Sequence, residues 1–361
     1  MSNPIEPSPD FFHQFGQILV LARQQAARAI TYVMVIVYWQ IGKRIVEEEQ
    51  QGAERAAYGN RLLEELSQHL GQEFGRGFST RNLENMRKFY LTYRDRGTPI
   101  SQTVSAKLVS ADAALTRNQE AMHQAFGLSW SHYVFLITLN DEAERNFYEV
   151  EAIHQQWSLR ELKRQFNTSL YERLALSRDK DDIRRLTQDG QRVTKPRDLL
   201  RDPYVLEFLE LDERAKYTED DLETAIIDKL EKFLLELGKG FLFEARQKRF
   251  TYAEDHFYVD LVFYNRLLRC YVLLDLKIGK LTHGNLDQMQ MYVNYFDRHV
   301  KIDDENPTVG IILCKQKNDA MVEITLPQET NIFAAQYQLS LKTLAFRLPV
   351  APQLKYTPKT A

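Results

Sequence analysis

The chain has 361 residues, more than one compact core usually needs, so two domains are the first expectation. Its composition, 44% hydrophobic and 27% charged with 15 Gly and 11 Pro, excludes a collagen-like, low-complexity or largely disordered protein. Two cysteines, Cys270 and Cys314, exclude a disulfide framework and a zinc cluster and favour a reduced, cytoplasmic setting. The formal net charge of -3, taken as a whole, gives no sign of a nucleic-acid or membrane partner.

The N-terminal part of the chain is predicted to be helical. Apolar residues recur at helical spacing over Phe15–Ala22 and Leu62–Leu70. The most apolar run, Ile30–Ile41, has about a dozen residues where a membrane span needs roughly 20, so we expect a buried helix and no membrane partner. Glycines then interrupt the pattern, and Ser79 or Thr80 is placed to cap a further helix. The first ten residues carry three prolines and no basic residue, which predicts no targeting segment.

A loop and a linker divide the rest of this part. The Thr-, Ser- and Gln-rich stretch 96–127 has little periodicity and is predicted to be a loop with at most a short helix. Helical patterns follow it over 131–138, 141–154 and 159–170. Charged and polar residues with one Gly and two Pro then fill 178–203. These observations predict a helical domain over 10–177, a linker over 178–203 and a second domain over 204–350.

The sequence period changes in the second half. Asp220–Leu237 is predicted to be one long helix that ends at Gly238. Apolar, aromatic and β-branched runs typical of strands follow it: Phe241–Phe243, Phe257–Tyr264, Cys270–Leu276 and Val309–Leu313. Asn265-Arg266 predicts a hairpin turn between the second and third runs, and a helix over Asn285–Asp297 separates the third and fourth. This succession of helices and strands predicts a mixed α/β domain.

Charge is distributed unevenly along the chain. Arg76–Arg94 has five basic residues against one acidic, and Ser158–Arg201 has twelve against seven, whereas Asp202–Glu236 has four basic against twelve acidic. Solvated helix faces account for most of these charges. The near-neutral total is nevertheless a cancellation between blocks, so it does not exclude a nucleic-acid partner.

Two carboxylates stand within the strands of the predicted hairpin. Asp260 lies in the first strand and Asp275 in the second, each among apolar residues, and a buried carboxylate is costly unless it is paired or binds a cation. Residues i and i+2 of a strand share a face, so Lys277 lies beside Asp275. Two converging aspartates with a neighbouring ammonium suit a hard divalent cation such as Mg²⁺. From the residues alone, a metal site and a structural Asp–Lys ion pair stay equally open.

Blocks spread over nearly the whole chain together carry a family resemblance. In the C-terminal half they are Phe233–Phe243, Arg246-Gln247, Phe257–Asn265, Asp275–Lys280, Asp287–Met289 and Gly310–Lys315. In the N-terminal half they are Tyr38–Gly42, Tyr58-Gly59, Gly75–Ser79, Leu128–Tyr133 and Trp157–Leu162. These blocks resemble the YhcG family of PD-(D/E)XK nucleases. The resemblance implies a mostly helical, winged-helix-like N-terminal domain, a restriction-endonuclease-like mixed α/β C-terminal domain, and phosphodiester cleavage with Mg²⁺ or Mn²⁺.

The resemblance also implies roles for single residues. Asp260 matches the family's first acid, Asp275 its second, Lys277 its lysine and Gln288 the glutamine on the helix that follows. All four are therefore expected to be catalytic, and the two aspartates are expected to bind the metal. The chain departs from the family pattern at three places: no proline precedes Asp260, the second acid is Asp where Glu is commoner, and Glu244-Ala245 replaces the usual Val-Gly.

An acid on the preceding helix often completes a metal site in such nucleases. Glu236, in the matching Leu-Glu-Leu-Gly segment, and Glu231 are the two candidates for it. Two further side chains keep an alternative role. Gln288 either faces the site or only packs its helix, and Arg246 either contacts a phosphate or forms a structural salt bridge.

A basic surface is predicted beside the glycine-rich turn at 75–77. Arg76, Arg81, Arg87 and Lys88 lie around this turn and the first turns of the next helix. Backbone N–H groups at a helix start favour a phosphate, and arginine adds bidentate contacts. The four residues are therefore expected to bind DNA, with a protein-binding surface as the alternative.

Together these features predict a two-domain, metal-dependent DNA nuclease, a hydrolase whose N-terminal domain binds or orients the DNA. The alternative is a nuclease-fold protein with weak or no turnover that acts as a nucleic-acid-binding or assembly module. A helical protein–protein adaptor is the third class. The structure of the DNA substrate, the endo- or exonuclease mode and the oligomeric state, including a homo-oligomer, stay open.

Overall fold

The computed structural model describes residues 9–51, 56–97, 126–175, 180–211, 216–252, 254–327 and 330–340. The chain forms two compact units, Met1–Leu159 and Arg160–Ala361. Most of the loop predicted over 96–127 lies outside the described residues.

The first unit is built from helices in its described part. They are α1 (Pro9–Gln51), α2 (Ala56–Phe74), α3 (Thr80–Tyr93), α4 (Trp130–Leu136) and α5 (Glu142–His154), with a 3-10 turn over Arg94–Gly97. Ser79 caps α3 by accepting a hydrogen bond from the backbone N of Asn82, as its place before the helix predicts. The mostly helical N-terminal part is therefore confirmed, and the described residues of this unit hold no strand that would form a wing.

Helices α1 and α3 approach each other closely at one glycine. A Cβ at Gly42 would lie 2.0 Å from the carbonyl oxygen of Met86, so the two backbones meet where α1 carries no side chain. Trp39, near the end of the predicted apolar run, is buried, whereas Ile30 at its start is exposed. No helix in the described part of the chain is long and apolar enough to span a bilayer. The apolar run therefore belongs to a helix that packs against α3.

The second unit is a mixed six-stranded sheet with helices. Its strands are β1 (Tyr204–Val205), β2 (Phe241–Tyr252), β3 (Asp255–Asn265), β4 (Cys270–Lys280), β5 (Val309–Gln316) and β6 (Ile332–Gln338). Its helices are α6 (Leu159–Asn167), α7 (Leu170–Ala175), α8 (Lys180–Asp189), α9 (Glu219–Asp228), α10 (Leu230–Leu237), α11 (His283–His299) and α12 (Asp319–Thr325), with 3-10 turns over Pro196–Leu199 and Glu207–Leu209. The strand order is β1-β6-β5-β4-β3-β2; β2, β3 and β4 pair antiparallel, and β4, β5, β6 and β1 pair parallel. The predicted mixed α/β fold is confirmed.

Apolar side chains of the sheet enter two separate cores. Leu274 of β4 packs in one core with Phe233 of α10. Leu273 of the same strand packs in the other core with Met289 of α11. Because successive side chains of a strand alternate between its faces, Asp275 shares the face of Leu273, the one that α11 covers.

The helix predicted over Asp220–Leu237 is two helices in the structure. α9 ends at Asp228 and α10 begins at Leu230, because the backbone of Lys229 (φ -120°, ψ 33°) leaves helical geometry. Gly238 ends α10 with a φ of 106°, a conformation that glycine adopts without steric cost, as predicted. The break interrupts the helical phase between the acids of α9 and those of α10.

The boundary between the compact units differs from the linker predicted over 178–203. The sequence assigns α6 and α7 to the N-terminal domain, yet both belong to the second unit. Arg164 of α6 and Arg173 of α7 each form an ion pair with Glu236, which ties these helices to α10. Helix α8 occupies part of the predicted linker. The linker and the domain bounds that it implies stay a prediction.

Candidate active site

Two acids face each other where β3 and β4 separate. The register between these antiparallel strands ends at the pair Leu261 and Leu274, and one further step along it places Asp260 opposite Asp275. At that step a side-chain hydrogen bond replaces the backbone pairing of the two strands: Oδ2 of Asp260 accepts a hydrogen bond from the backbone N of Leu276 (2.7 Å). The hairpin therefore opens around a pair of carboxylates.

The two carboxylates lie where water has little access. Asp275 is 2% exposed and Asp260 is half-buried. Burial first, and the negative charge of Asp275 second, raise the pKa of Asp260 to about 6. Burial also raises the pKa of Asp275, although the charge of Lys277 opposes that shift. A cation bound between these two adjacent acids would stabilise their charged forms, which burial disfavours.

Lys277 supplies a positive charge beside the second acid. Its Nζ lies 3.0 Å from Oδ2 of Asp275 and 3.4 Å from Oε2 of Glu219 on α9. Burial is the largest single effect and lowers the pKa of Lys277, but the nearby acids Asp275, Glu219 and Asp260 together outweigh it, so the pKa is raised overall. The Asp–Lys ion pair that the residues alone left open is therefore present. It keeps a protonated ammonium next to the acids, in position to hold an anionic group.

Gln247 of β2 links Asp260 to an acid of α9. Its Nε2 donates to Oδ1 of Asp260 (3.2 Å) and to Oε2 of Glu223, which is buried. The backbone of Gln247 has a φ of 46°, in the left-handed region that costs a non-glycine residue about 1–2 kcal/mol. Strain of this kind persists only where the surrounding contacts hold it, and it clusters at functional sites.

Arg246 is bound by the same acid of α9. Its Nε contacts a carboxylate oxygen of Glu223, and its Nη2 donates to Oγ1 of Thr224 (3.0 Å). Of the two roles left open for Arg246, the structure contains the salt bridge. A contact with a phosphate of DNA stays a prediction.

Gln288 reaches the site through a tyrosine on the same helix. Its Nε2 donates to the hydroxyl of Tyr292 (2.6 Å). Tyr292 is buried, and burial, followed by the charge of Asp275, raises the pKa of Tyr292 to about 12. The hydroxyl of Tyr292 therefore lies in the electrostatic field of the acids. The hydrogen bond of Gln288 is made to this hydroxyl and not to either aspartate.

Glu236, predicted as a metal ligand, lies among three arginines in the structure. Glu236 is completely buried, and three guanidinium groups occupy its oxygens: those of Arg173 (2.7 Å), Arg164 (3.2 Å) and Arg201 (3.5 Å). Burial favours the neutral acid, but the three positive charges outweigh it and lower the pKa of Glu236 to about 2. This carboxylate is committed to a buried ion cluster. The other candidate, Glu231, is exposed in the first turn of α10.

The acids that accompany the two aspartates come from α9 instead. Glu219 contacts Lys277 and accepts a hydrogen bond from the backbone N of Ile278 (3.4 Å), and Glu223 contacts Gln247. Glu219 and Glu223 are four residues apart and therefore share one face of the helix. This spacing, within the acidic block, is the sequence signal that marks them. The predicted candidates were instead Glu231 and, from the matching Leu-Glu-Leu-Gly segment, Glu236, so this signal was not used.

The carboxylates of Asp260 and Asp275 suit a hard cation that needs only one or two protein ligands. Among the residues that the structure describes, no three His, Cys, Asp or Glu side chains converge on a point that a metal ion would occupy. Mg²⁺ is commonly bound by one or two carboxylates and keeps several waters, and Asp260 and Asp275 provide two. Oδ2 of Asp275 is buried, and its contact with Lys277 lacks hydrogen-bond geometry. The residues therefore fit a divalent cation.

The predicted basic surface lies in the first unit and is mostly exposed. Arg76, Arg81 and Lys88 are exposed in the turn before α3 and along that helix. Arg87, by contrast, forms an ion pair with Glu49 of α1 (2.6 Å). Three of the four predicted DNA contacts are thus presented to solvent, and the fourth links two helices.

Comparison with known proteins assigns a family to each part of the chain. Residues 14–173 match the family described as the DUF1016 N-terminal domain, and residues 197–349 match the YhcG PDDEXK nuclease domain. A protein of Escherichia coli (strain K12) named "Putative nuclease YhcG" is 39% identical over 330 residues, which cover 89% of this chain and 87% of that protein.

Two solved structures show a weaker likeness: the crystal structure of a repair endonuclease from Pyrococcus abyssi and the structure of an EndoMS–dsDNA2 complex. Each has 15% identity and a TM-score of 0.25 over 36% of this chain, and the match spans 50% and 49% of the solved chains, respectively. The assignment therefore rests on the sequence matches. The chain belongs to the YhcG family, with a DUF1016 N-terminal domain followed by a PD-(D/E)XK nuclease domain.

Proposed function

We propose that the protein is a DNA nuclease that hydrolyses phosphodiester bonds with Mg²⁺ or Mn²⁺ held by Asp260 and Asp275. The observation that carries the proposal is the pair of carboxylates, buried Asp275 and half-buried Asp260, beside Lys277 at the opening of the β3–β4 hairpin. The nuclease domain matched by residues 197–349 and the name of the Escherichia coli relative support the reaction class.

The aspartates are held in one orientation before any substrate arrives. The bound metal would polarise the phosphate and lower the pKa of a water molecule. The backbone N–H of Leu276 holds Asp260, and Gln247 holds both Asp260 and Glu223. Groups that are fixed in advance need no reorganisation during the reaction, which is the main way in which charged sites accelerate it. Glu223 is the candidate for a third acid acting through Gln247.

Lys277 has the proposed role of stabilising negative charge that develops on the phosphate. Its ammonium is half-buried, and contacts with Asp275 and Glu219 fix its position. A charge in a poorly solvated site interacts more strongly than the same charge in water. Gln288 is proposed as a positioning residue, since its hydrogen bond orients the hydroxyl of Tyr292 near the acids.

The exposed basic residues of the first unit are proposed to bind the DNA backbone. Arg76, Arg81 and Lys88 lie at the start of α3 and along it. Contacts of this kind go to phosphates and fix the position of the duplex without reading its sequence. Arg87 contributes less in this proposal, because Glu49 already pairs with it.

The two cysteines favour a reducing, cytoplasmic setting for this activity. Cys270 and Cys314 are both buried and form no disulfide. Burial raises the pKa of each thiol to about 11, so neither forms a reactive thiolate at neutral pH. Both pack into the cores of the sheet.

DNA cleavage by matched variants tests the proposal. Full-length protein is incubated with single-stranded, duplex and branched DNA in Mg²⁺ or Mn²⁺, beside Asp260→Asn and Lys277→Met. Asp255→Asn is the control, because Asp255 is an exposed carboxylate on the same strand. We expect the wild type and Asp255→Asn to cut, and the other two variants to lose about 100-fold or more in rate.

Each other outcome has a definite meaning. Equal cutting by all variants means that the assigned site is wrong. DNA binding without cleavage by any variant favours the nuclease-fold binding module. Failure to bind any DNA at low salt favours the protein–protein adaptor.

A further inference from the structure

A second concave site lies between the end of β2 and α11, and we call it the β2–α11 pocket. It has a volume of about 310 Å³, and Tyr252, Gln290, Asn294, Tyr295, Arg298 and His299 are among the residues that line it. Pockets for small ligands span roughly 300–1,000 Å³, so this one suits a group no larger than a single nucleoside.

Aromatic rings form one wall of the β2–α11 pocket. Tyr295 stacks on Phe250 with ring centroids 4.1 Å apart and an interplanar angle of 22°. The ring of His299 lies 5.0 Å from that of Tyr295 and 6.4 Å from that of Tyr252. Phe250 is buried and holds Tyr295, whereas Tyr252 is 56% exposed. The wall therefore presents ring surface to a planar ligand.

Amides and two opposite charges complete the β2–α11 pocket. Nε2 of Gln290 donates to Oδ1 of Asn294 (3.1 Å), and each amide keeps further donor or acceptor capacity. Such amides match the mixed donors and acceptors along the edge of a nucleobase. Asp287 and Arg298 also line the pocket, so one negatively charged side chain offsets one positively charged side chain. This charge balance suits a neutral nucleobase better than an anionic phosphate.

The β2–α11 pocket lies beside the catalytic face along the same helix. Gln288 and Tyr292 belong to the catalytic face, while Asp287, Met291 and Asn294 recur at helical spacing on the adjacent face. The rise from Gln288 to His299, at the far end of the pocket, is about 16 Å at ~1.5 Å per residue. That distance corresponds to about five stacked nucleotides at ~3.4 Å each. A strand bound at the aspartates therefore reaches the pocket with a nearby nucleotide.

We propose that the β2–α11 pocket binds one unpaired nucleobase of the nucleic acid substrate. Preferred substrates then carry single-stranded or extrahelical nucleotides within a few positions of the bond that is cut. A base inside a duplex does not fit this role, because it is paired and stacked on both faces and must first leave the helix. The inference deepens the proposed nuclease function and rests on it for the cleavage preference, whereas base binding is measured without cleavage.

The experiment uses the full-length protein in EDTA, which prevents cleavage. The probe is a short single-stranded DNA with one 2-aminopurine, a fluorescent base that is quenched when it stacks, placed at successive positions. We expect quenching at one position in the wild type. In the double variant Tyr252→Ala, His299→Ala we expect that quenching to disappear and single-strand affinity to fall about tenfold. Tyr258→Ala is the matched control, because Tyr258 is a similarly exposed tyrosine on β3 and does not line the pocket.

Three results overturn the inference: wild-type affinity and quenching in the double variant, an equal loss in Tyr258→Ala, or an equal loss of affinity in the double variant when the same strand is fully paired. A separate assay in Mg²⁺ keeps the two proposals apart. Position-specific quenching without any cleavage supports the pocket and contradicts the nuclease proposal. Cleavage without position-specific quenching supports the nuclease and contradicts the pocket.

Discussion

Oδ2 of Asp260 accepts a hydrogen bond from the backbone N of Leu276 at 2.7 Å, next to Asp275 and just beyond the last paired residues of β3 and β4. The first acid is thereby tied to the backbone of the strand that carries the second. A movement of β4 on substrate binding therefore shifts both carboxylates together. The sheet itself sets the separation of the two acids, which is the property that a metal site needs.

Gln247 positions Asp260, and two replacements separate the effect of its side chain from that of its backbone. Gln247→Gly and Gln247→Ala both remove the amide that links Asp260 to Glu223, so we expect cleavage to fall about 10- to 100-fold in each. Because the φ of 46° suits glycine, the glycine variant is expected to be the more stable by about 1 kcal/mol. Cleavage rates and urea unfolding measure the two effects. Full activity in the alanine variant contradicts the positioning role.

Glu236 is expected to matter for stability and not for metal binding. Glu236→Ala leaves the two buried guanidinium groups of Arg173 and Arg201 without this carboxylate, whereas Arg164 keeps Glu207, so the free energy of unfolding is expected to fall by about 3–5 kcal/mol. Glu231→Ala removes an exposed acid from the same helix and is expected to change it by less than about 0.5 kcal/mol. Urea denaturation compares the two. A stable Glu236→Ala protein that has lost Mn²⁺ binding would instead restore Glu236 as a ligand.

The same cluster is expected to make folding stability depend on acid pH. The three arginines lower the folded-state pKa of Glu236 to about 2 from its ordinary 4.5, so the unfolded chain takes up the proton first as the pH falls. The stabilisation is complete above the ordinary pKa and is lost as the pH falls from there toward 2. Between about pH 5 and pH 3 the wild type should therefore lose stability more steeply than Glu236→Gln. Parallel curves of unfolding free energy against pH contradict this.

Two glycines of the first unit are expected to respond oppositely to alanine. At Gly42 the new methyl group meets the carbonyl oxygen of Met86, so we expect a loss of at least about 1–3 kcal/mol from overpacking. At Gly71, within α2, a Cβ meets nothing within 4 Å, and alanine should stabilise the helix by about 0.5–1 kcal/mol. Thermal unfolding of the two variants gives the answer. Equal effects at both positions are inconsistent with the close approach of α1 and α3.

The basic surface of the first unit is expected to determine the salt dependence of DNA binding. Each phosphate contact contributes about 0.9 to the slope of log affinity against log salt concentration. Replacing Arg76, Arg81 and Lys88 by alanine should therefore lower the magnitude of that slope by up to about three. Arg61→Ala, at an exposed position on α2, serves as the control. An unchanged slope in the triple variant contradicts the assignment.

The strands that carry the aspartates were predictable because their sequence pattern is local. Apolar runs with one embedded acid each and a turn between them predict β3, β4 and the facing pair of Asp260 and Asp275. Strand alternation adds Lys277 beside Asp275, and the resemblance to a nuclease family adds Gln288. Most of β2 was not predicted, since its only apolar run is Phe241–Phe243 and the remainder of the strand, apart from buried Phe250, is mostly polar and largely exposed. That strand exists because it pairs along the whole of β3.

The remaining acids of the site depend on tertiary structure that no local pattern contains. The break at Lys229 ends one helix and begins another, so Glu223 and Glu236 lie on different helices. The ion pairs of Glu236 were not predicted, because Arg164 and Arg173, far away in the sequence, reach it only in the fold. Long-range ion pairs of this kind cannot be derived from spacing.

The central claim is that Asp260 and Asp275 together hold the divalent metal. Crystals of the protein soaked in Mn²⁺ test it directly through an anomalous difference map. We expect a peak within bonding distance of both carboxylates in the wild type and none in Asp275→Asn crystals. A map without a peak between the two aspartates, or with its peak at the Glu236 cluster instead, would contradict the account.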